Sequence, residues 1–268
     1  MIAALQRLPL SLPTAVWLAI LYLVLLAVAV IAPGVLTHSD PLLADPVNAQ
    51  LAPSAAHWLG TDQLGRDLLT RVIYGSRYSL LISVAAMALA VLFGTLLGLI
   101  AALARGVIDE LLSRAVDVIS AFPDLLLALM LIAFTGPGTN NLIIALGVAS
   151  VPRFARVVRA QTYTVMTSGY VEQARTFGLS RFTLITRHIL PHAIAQVPAL
   201  ATLGLGTAII GTAGLSFLGM GPQPPTAECG LMLAEGRNSP RHAWWIAVWP
   251  GVFNPLSVIA VSTLGRHW

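Results

Sequence analysis

Residues 79–103 contain no charged side chain, and this apolar run limits what the chain can fold into more than any other feature. An α-helix needs about 20 apolar residues to cross a bilayer, so the run is long enough for one span. The chain as a whole is 57% hydrophobic and 10% charged, whereas a soluble domain carries about 25% charged residues. The sequence therefore predicts an all-α polytopic membrane protein, formed as one domain over residues 1–268.

Further apolar stretches bring the predicted number of transmembrane helices to six. The first stretch is too long for the core of a signal peptide and lacks a clear small-residue cleavage site, so we expect it to remain as a helix. The six predicted spans are residues 14–35, 79–103, 115–135, 139–158, 193–216 and 244–264.

The distribution of arginine predicts the orientation of these spans. The chain has no lysine, and positive residues of membrane proteins collect on the cytoplasmic side. With the N-terminus in the cytoplasm, the arginines inside are Arg7, Arg105, Arg114, Arg153, Arg156, Arg159, Arg175, Arg181, Arg187 and Arg266. Those outside are Arg66, Arg71, Arg77, Arg237 and Arg241. This two-to-one excess predicts that both termini and residues 153–192 are cytoplasmic, and that residues 36–78 and 217–243 are external.

Residues 153–192, called the arginine-rich segment below, interrupt the apolar spans with a polar stretch that has helix signals of its own. Thr167 or Ser168 can cap a helix start, and Glu172 would lie near the positive end of that helix. Gly178 can end the helix in the left-handed conformation that glycine adopts without penalty. A second helix is expected from about Ser180. The pattern predicts two short helices at which a soluble partner could dock.

The sequence Glu172-Gln173-Ala174, with Gly178 after it and Leu190-Pro191 twelve residues further on, resembles the cytoplasmic coupling loop of ABC importer permeases. The resemblance implies that the loop fits a cleft in an ATPase subunit and transmits its closure to the membrane helices. It implies ATPase contacts at Glu172, Ala174 and Gly178, where small residues would let the partner approach closely. Gln173 departs from the family's usual alanine. An ordinary amphipathic connector is the alternative interpretation.

A second signature covers residues 57–80. It contains His57-Trp58-Leu59-Gly60-Thr61-Asp62-Gln63-Leu64-Gly65-Arg66-Asp67. From the residues themselves we expect a short amphipathic helix at the bilayer surface, capped by Thr61 or Asp62. Two opposite-charge pairs with a spacing of four should support it, Asp62 with Arg66 and Asp67 with Arg71. A direct substrate role is the alternative.

This second signature resembles the dipeptide, oligopeptide and nickel branch of ABC importer permeases, and within it the "C" subunit of the heterodimer. Two features depart from that pattern. Cys229 stands where the family usually has tryptophan, and residues 264–268 end the chain where relatives usually continue with a charged tail. The single cysteine excludes an internal disulfide and a cysteine-based metal cluster.

Asp117 and Asp124 fall within the third predicted span, where an ionisable residue is a functional candidate. Both are candidates for lining a translocation path. For Asp117 a local pair with Arg114 is the favoured alternative. Asp124 follows Pro123, which breaks the helix ladder and frees backbone carbonyls nearby. On the second span, Gly94 and Gly98 predict close helix packing.

The sequence carries no pattern for catalysis. His188 and His192 have the spacing of metal ligands on a helix, but no third ligand is evident, so no metal site is expected. A phosphate-cradling Gly-x-x-x-x-Gly-Lys loop is excluded because the chain has no lysine. We therefore expect a transport subunit that does not hydrolyse ATP and has no cofactor of its own.

Together the two resemblances imply a type I ABC importer transmembrane domain in a bacterial cytoplasmic membrane. The implied partners are a homologous second permease, two ATP-binding subunits or a fused pair, and an extracytoplasmic substrate-binding protein. ATP and Mg would be held by the ATPase subunits, and nucleic acid is not expected as a partner. Peptides are the first expectation for cargo, with nickel or haem-type cargo as the alternative. An ion-gradient-driven secondary transporter and an intramembrane enzyme are weaker alternatives.

Overall fold

The computed structural model describes residues 14–237 and 242–265. Within them all regular secondary structure is helical, apart from one isolated β-bridge between Thr61 and Asp67. The first half contains α1 (Thr14–Ile31), α2 (Pro33–Leu36), α3 (Leu68–Ala104), α4 (Gly106–Ser120), α5 (Asp124–Thr135) and α6 (Thr139–Met166). The second half contains α7 (Gly169–Thr176), α8 (Arg181–Thr183), a π-helical segment (Leu184–Ile189), α9 (Leu190–Ala193), α10 (Val197–Phe217), α11 (Cys229–Gly236) and α12 (Trp245–Gly265). The predicted all-α class is confirmed.

By length and composition, five helices could each cross a membrane, namely α1, α3, α6, α10 and α12. Together α4 and α5 also pass this criterion, but they are bent by 89° at the break between them. The span expected over residues 115–135 is therefore bent, with its first part in α4 and the rest in α5. Pro123 is the physical cause, because it has no backbone N–H and holds an extended ψ of 134° immediately before α5.

Two helices extend well beyond their predicted spans. Whereas the second span was expected from residue 79, α3 begins at Leu68, and α6 continues past residue 158 to Met166. Hydropathy marks only the apolar part of a helix, so the polar turns at the ends of α3 and α6 escaped the prediction. Arg7, Arg241, Arg266 and most of the C-terminal departure at residues 264–268 lie outside the described residues.

Contacts within the chain divide it into two compact units. The first contains residues up to 80 and from 223 onwards. In it α1 packs on α12, and the Tyr22 hydroxyl lies 2.8 Å from the Ser257 hydroxyl. A buried apolar cluster joins the start of α3 to α11 and α12 through Leu68, Met232 and Ile246.

The second unit contains residues 81–222, including most of α3 and all of α4 to α10. Within it α3 and α6 approach closely because α3 carries glycine at the contact. A Cβ atom at Gly94 would lie 2.5 Å from Phe154 Cβ, and one at Gly98 would lie 2.5 Å from the Ala155 carbonyl oxygen. Both glycines therefore serve helix packing, as their spacing indicated.

Candidate functional site

The first part of the arginine-rich segment, residues 153–166, is the end of the long helix α6, and the rest follows it directly. After Met166 at the end of α6 come only Thr167 and the extended residue Ser168 before α7 begins. The predicted start of the short helix at Ser168 is confirmed. The Ser168 hydroxyl, however, donates back to the Val165 carbonyl instead of capping α7. A connection of only two residues therefore joins α6 to α7.

Gly178 closes α7 as predicted. It adopts a left-handed φ of 77°, which a residue with a side chain rarely adopts. The Gly178 N–H donates to the Arg175 carbonyl at 3.0 Å, and the Leu179 N–H donates to the Ala174 carbonyl at 3.3 Å. These two bonds form a Schellman motif, which satisfies the last carbonyls of the helix. The turn after α7 is thus a defined structural element.

The second predicted helix begins where the sequence placed it, but it is not a uniform α-helix. The Ser180 hydroxyl accepts a hydrogen bond from the Thr183 N–H at 3.2 Å, so Ser180 caps α8. A π-helical segment and α9 follow in the same direction. Pro191 in α9 has no N–H to donate to the preceding turn, and a π-bulge is one way in which a helix accommodates such a gap.

Among the three predicted contact residues, Glu172 and Gly178 are exposed and Ala174 is buried. The Ala174 side chain is only 7% accessible and packs with Val171, Leu184 and Ile189. Its small size therefore allows α7 to lie against the π-helical segment of the same chain. A partner would reach Glu172 and Gly178 directly, whereas it would meet Ala174 only through the packing beneath the surface.

Two exposed aromatic side chains flank the Gly178 turn, and the sequence interpretation did not identify them. The Phe177 side chain is 81% exposed and that of Phe182 is 77% exposed. An exposed apolar patch of this kind is typical of a docking surface. Two aromatic residues in a polar segment were a signal in the sequence that could have pointed to a docking surface. Their exposure could not be predicted, because it follows from the end of α7 at Thr176, which turns Phe177 away from the buried face of Val171 and Ala174.

The predicted acidic residues pair with a row of arginines on α6. Arg153, Arg156 and Arg159 are three residues apart and reach carboxylates of α4 and α5. These contacts are Arg153–Asp124 at 3.6 Å, Arg156–Asp117 at 3.2 Å and Arg159–Asp109 at 2.6 Å. We call these three pairs the ion-pair ladder. It was missed in the sequence because each acid lies about 30 to 50 residues from its partner.

The expected local pair between Arg114 and Asp117 is wrong. Arg114 instead approaches Glu110 at 3.7 Å, one turn earlier on α4, and Asp117 points to α6. Both Asp117 and Asp124 keep exposed carboxylates, with side-chain exposures of 63% and 58%. Asp117 also lines a cleft of about 170 Å³ together with Arg156 and Arg159.

Within the second signature, residues 57–67 form a compact loop and not the expected short helix, and residues 68–80 are the start of α3. The Asp62 side chain accepts hydrogen bonds from the Leu64 N–H at 2.8 Å and the Arg66 N–H at 3.0 Å, so it holds a turn. The predicted Asp62–Arg66 pair is confirmed at 2.6 Å. A turn of this kind competes with helix formation because the side chain takes over the backbone N–H groups.

The expected Asp67–Arg71 pair is wrong. Arg71 is fully buried and contacts Asp62 and, at 3.1 Å, Glu235 of α11. Asp67 instead accepts from the Thr70 N–H at 2.9 Å, which caps α3, and lies 3.0 Å from the His57 ring. The signature thus fixes the entry of α3 against α11 through a buried charge cluster.

No group of three or more metal-ligating side chains is found among residues 14–237 and 242–265. His188 and His192, which have the spacing of metal ligands on a helix, lie at the end of the arginine-rich segment. The Nδ1 atom of His192 is 3.0 Å from the His188 carbonyl oxygen, so that nitrogen is engaged with the backbone of its own helix.

Comparison with known proteins gives a consistent family. Residues 94–266 match the family model described as "Binding-protein-dependent transport system inner membrane component". The dipeptide transport system permease protein DppC of Alkalihalophilus pseudofirmus is 40% identical over 89% of this chain and 78% of its own length. The probable D,D-dipeptide transport system permease protein DdpC of Escherichia coli is 37% identical over 94% of this chain and 85% of its own length.

Solved structures show the same fold at low sequence identity. An inward-facing form of the MetNI methionine ABC transporter aligns with a TM-score of 0.60 and 19% identity, covering 75% of this chain and 94% of that one. An amino acid ABC transporter crystallised with histidines aligns with a TM-score of 0.60 and 18% identity, covering 74% of this chain and 92% of that one.

Proposed function

Because this chain belongs to the family of binding-protein-dependent transport system inner membrane components, we propose that it forms half of an ATP-driven import path for short peptides. It is a transport subunit, and the energy comes from hydrolysis of ATP, which the ATPase partners bind together with Mg. The remaining partners are a homologous second permease and an extracytoplasmic substrate-binding protein. The ATPases are two separate subunits or a fused pair.

The arginine count supports an orientation with both termini and residues 153–192 in the cytoplasm. The ion-pair ladder adds a reason for the high arginine content of this region. Three of the arginines, Arg153, Arg156 and Arg159, also hold α4 and α5 to α6. The proposed cytoplasmic surface therefore carries arginines of two kinds, some paired within the chain and some left for other partners.

The observation that carries the proposal is the exposed surface around Gly178, which we call the coupling surface. It consists of Glu172, Phe177, Gly178 and Phe182, held by the Schellman turn and backed by the buried Ala174. ATP binding closes the ATPases around this surface and displaces α7. The short connection at Ser168 passes the displacement to α6, and the ion-pair ladder passes it on to α4 and α5.

Asp117 and Asp124 remain candidates for the translocation path within this proposal. Their carboxylates are exposed on either side of the α4–α5 break, because Asp117 lies in the last turn of α4 and Asp124 is the first residue of α5. A change in the tilt of α6 would move both carboxylates, since each is paired with an arginine of that helix. In this way the proposed path and the proposed coupling surface share one element.

Peptides are the proposed cargo because relatives that match most of this chain are described as permeases for dipeptides, D,D-dipeptides and glutathione. Nickel or haem-type cargo on the same architecture is the alternative. An ion-gradient-driven transporter is a weaker alternative, because it would not need the coupling surface.

The test compares Gly178→Asp with Gly169→Asp in the complete transporter reconstituted into vesicles. A Cβ atom added to either glycine would have no heavy atom within 4 Å, but only Gly178 has a left-handed φ. We expect Gly178→Asp to insert normally and retain ATP hydrolysis while losing peptide uptake. Gly169→Asp adds the same charge at the start of α7 and should keep uptake. Normal uptake by Gly178→Asp would refute the coupling assignment, and uptake driven by an ion gradient without ATP would refute the importer.

A further inference from the structure

A groove of about 490 Å³ lies between the end of α3 and the arginine-rich segment, within the second unit. Its floor is apolar and includes Leu103, Met166, Leu184 and Ile189. Three arginines line its rim, namely Arg105, Arg175 and Arg181. An apolar floor with a cationic rim suits an amphiphile that has a negatively charged head.

The rim arginines have no acidic partner among the described residues. Among residues 14–237 and 242–265, no carboxylate lies within 4.0 Å of the guanidinium nitrogens of Arg105, Arg175 or Arg181, and no acidic residue lines the groove. The arginines of the ion-pair ladder, by contrast, each face an aspartate. Three like charges around one groove repel each other unless an anion lies between them, so the groove has charge complementarity to an anionic ligand.

The groove also continues a lipid-facing surface. Along α3, Leu92, Phe93, Leu96 and Ile100 are each about half exposed and lead towards Leu103 in the groove floor. Directly after Arg105, α4 begins with the exposed apolar residues Val107 and Ile108, which are 73% and 52% accessible. Arg105 thus directly follows a helix that is long and apolar enough to cross a membrane.

We propose that this groove binds an anionic phospholipid, with its phosphate between Arg105, Arg175 and Arg181 and an acyl chain along the exposed stripe of α3. Basic pockets at the cytoplasmic end of membrane helices bind such headgroups. Arg105 belongs to the end of α3, whereas Arg175 and Arg181 belong to the segment that bears the coupling surface. A bound phosphate would therefore hold that segment to the end of a membrane helix. Lipid binding itself does not depend on the coupling role.

The test measures binding of phosphatidylglycerol to the purified complete transporter by native mass spectrometry, with phosphatidylcholine as the neutral lipid. Arg105→Gln, Arg175→Gln and Arg181→Gln are compared with Arg187→Gln, which removes an exposed arginine of the same segment outside the groove. One basic residue near a headgroup changes lipid affinity by about fivefold. We expect that loss for each groove variant, a loss above tenfold for Arg105→Gln combined with Arg181→Gln, and less than about twofold for Arg187→Gln.

Three results would overturn the proposal. Equal binding of phosphatidylcholine would show that the headgroup charge is not recognised. An equal loss in Arg187→Gln would show a diffuse charge effect. Displacement of the lipid whenever the ATPase subunits bind would show that an acidic segment of that partner occupies the groove. Arg175→Lys, which keeps the charge, should retain most of the binding, so that a loss in Arg175→Gln is due to the missing charge. Inorganic phosphate should compete only weakly, since it lacks the acyl chain.

Discussion

Arg159 and Asp109 lie 50 residues apart in sequence and are joined by two parallel contacts, from Nε to Oδ1 at 2.6 Å and from Nη2 to Oδ2 at 2.8 Å. The Tyr163 hydroxyl donates to the same Oδ2 at 2.7 Å. The Asp109 side chain is 13% exposed, whereas the Asp117 side chain in the next pair is 63% exposed. Bidentate, partly buried pairs are the strong ones, so this pair is the principal link between α4 and α6.

Arg159→Met should therefore lower the free energy of unfolding by about 2 kcal/mol, because Asp109 loses two charge-assisted hydrogen bonds. Arg156→Met is the matched control on the same helix, and its exposed pair should contribute less than about 1 kcal/mol. Unfolding in mixed micelles, followed by circular dichroism, measures both values. Equal losses of unfolding free energy in the two variants would show that the bidentate geometry adds nothing to stability.

Gly178→Ala should loosen the turn after α7, since a side chain in the left-handed region costs about 1–2 kcal/mol. Gly169→Ala is the control, because that glycine has neither a close neighbour nor a positive φ. Trypsin cleavage after Arg175 and Arg181 reports the opening of this turn. We expect faster cleavage in Gly178→Ala alone, and near-normal rates in Gly178→Asn, since asparagine tolerates the left-handed conformation.

Ala174→Leu should destabilise the arginine-rich segment, because the added atoms overpack the cluster of Val171, Leu184 and Ile189 at a cost of about 1–3 kcal/mol. The neighbouring exposed position provides the control, and Gln173→Leu should be nearly neutral in stability. The same unfolding experiment measures both variants. If the Ala174→Leu protein is stable but no longer binds the ATPase, Ala174 contacts the ATPase directly.

An introduced cysteine can be labelled without first removing the native one, because the native cysteine is not accessible. Cys229 is fully buried, and burial raises the pKa of its thiol, with the charge of Glu228 acting in the same direction. The thiol is then protonated at neutral pH, and we expect no reaction with a membrane-impermeant maleimide. Phe177→Cys should label rapidly in the permease complex without ATPases and be protected when they bind. Unchanged labelling of Phe177→Cys in the complete transporter would place the partner elsewhere.

Asp62→Asn should be the most destabilising of these changes, by about 3–5 kcal/mol, because it leaves the buried guanidinium of Arg71 and that of Arg66 without their shared carboxylate. Asp40→Asn changes an exposed aspartate of the same unit and should have little effect. The yield of monodisperse protein and the unfolding midpoint are the measurements. A well-folded Asp62→Asn variant would show that Glu235 alone can compensate.

The membrane helices could be predicted from the sequence because apolar length alone requires them. The stop at Gly178 was also predictable, since one residue type satisfies a left-handed helix end at no cost. Even the bend between α4 and α5 had a visible cause in Pro123, although the angle of 89° depends on packing that no local pattern contains.

The charged contacts were less predictable, because the four-residue spacing rule applies only when both residues lie within one helix. Asp67 and Arg71 have this spacing, but Asp67 precedes the first residue of α3. Arg71 contacts Asp62 and Glu235 instead. Asp117 likewise had a neighbour of opposite charge on its own helix and pairs with Arg156 of another. The burial of Ala174 depends in part on Leu184 and Ile189, which lie ten or more positions later in the chain.

The length of α6 has a mechanical consequence. Its 28 residues correspond to about 42 Å at about 1.5 Å per residue, whereas the hydrocarbon core of a bilayer is about 30 Å thick. In the proposed transporter, α6 would therefore reach from the lipid into the water. A rotation of about 10° around its midpoint would swing each end by roughly 4 Å. A small rotation of this one helix would therefore be enough to open or close a gap about as wide as a side chain.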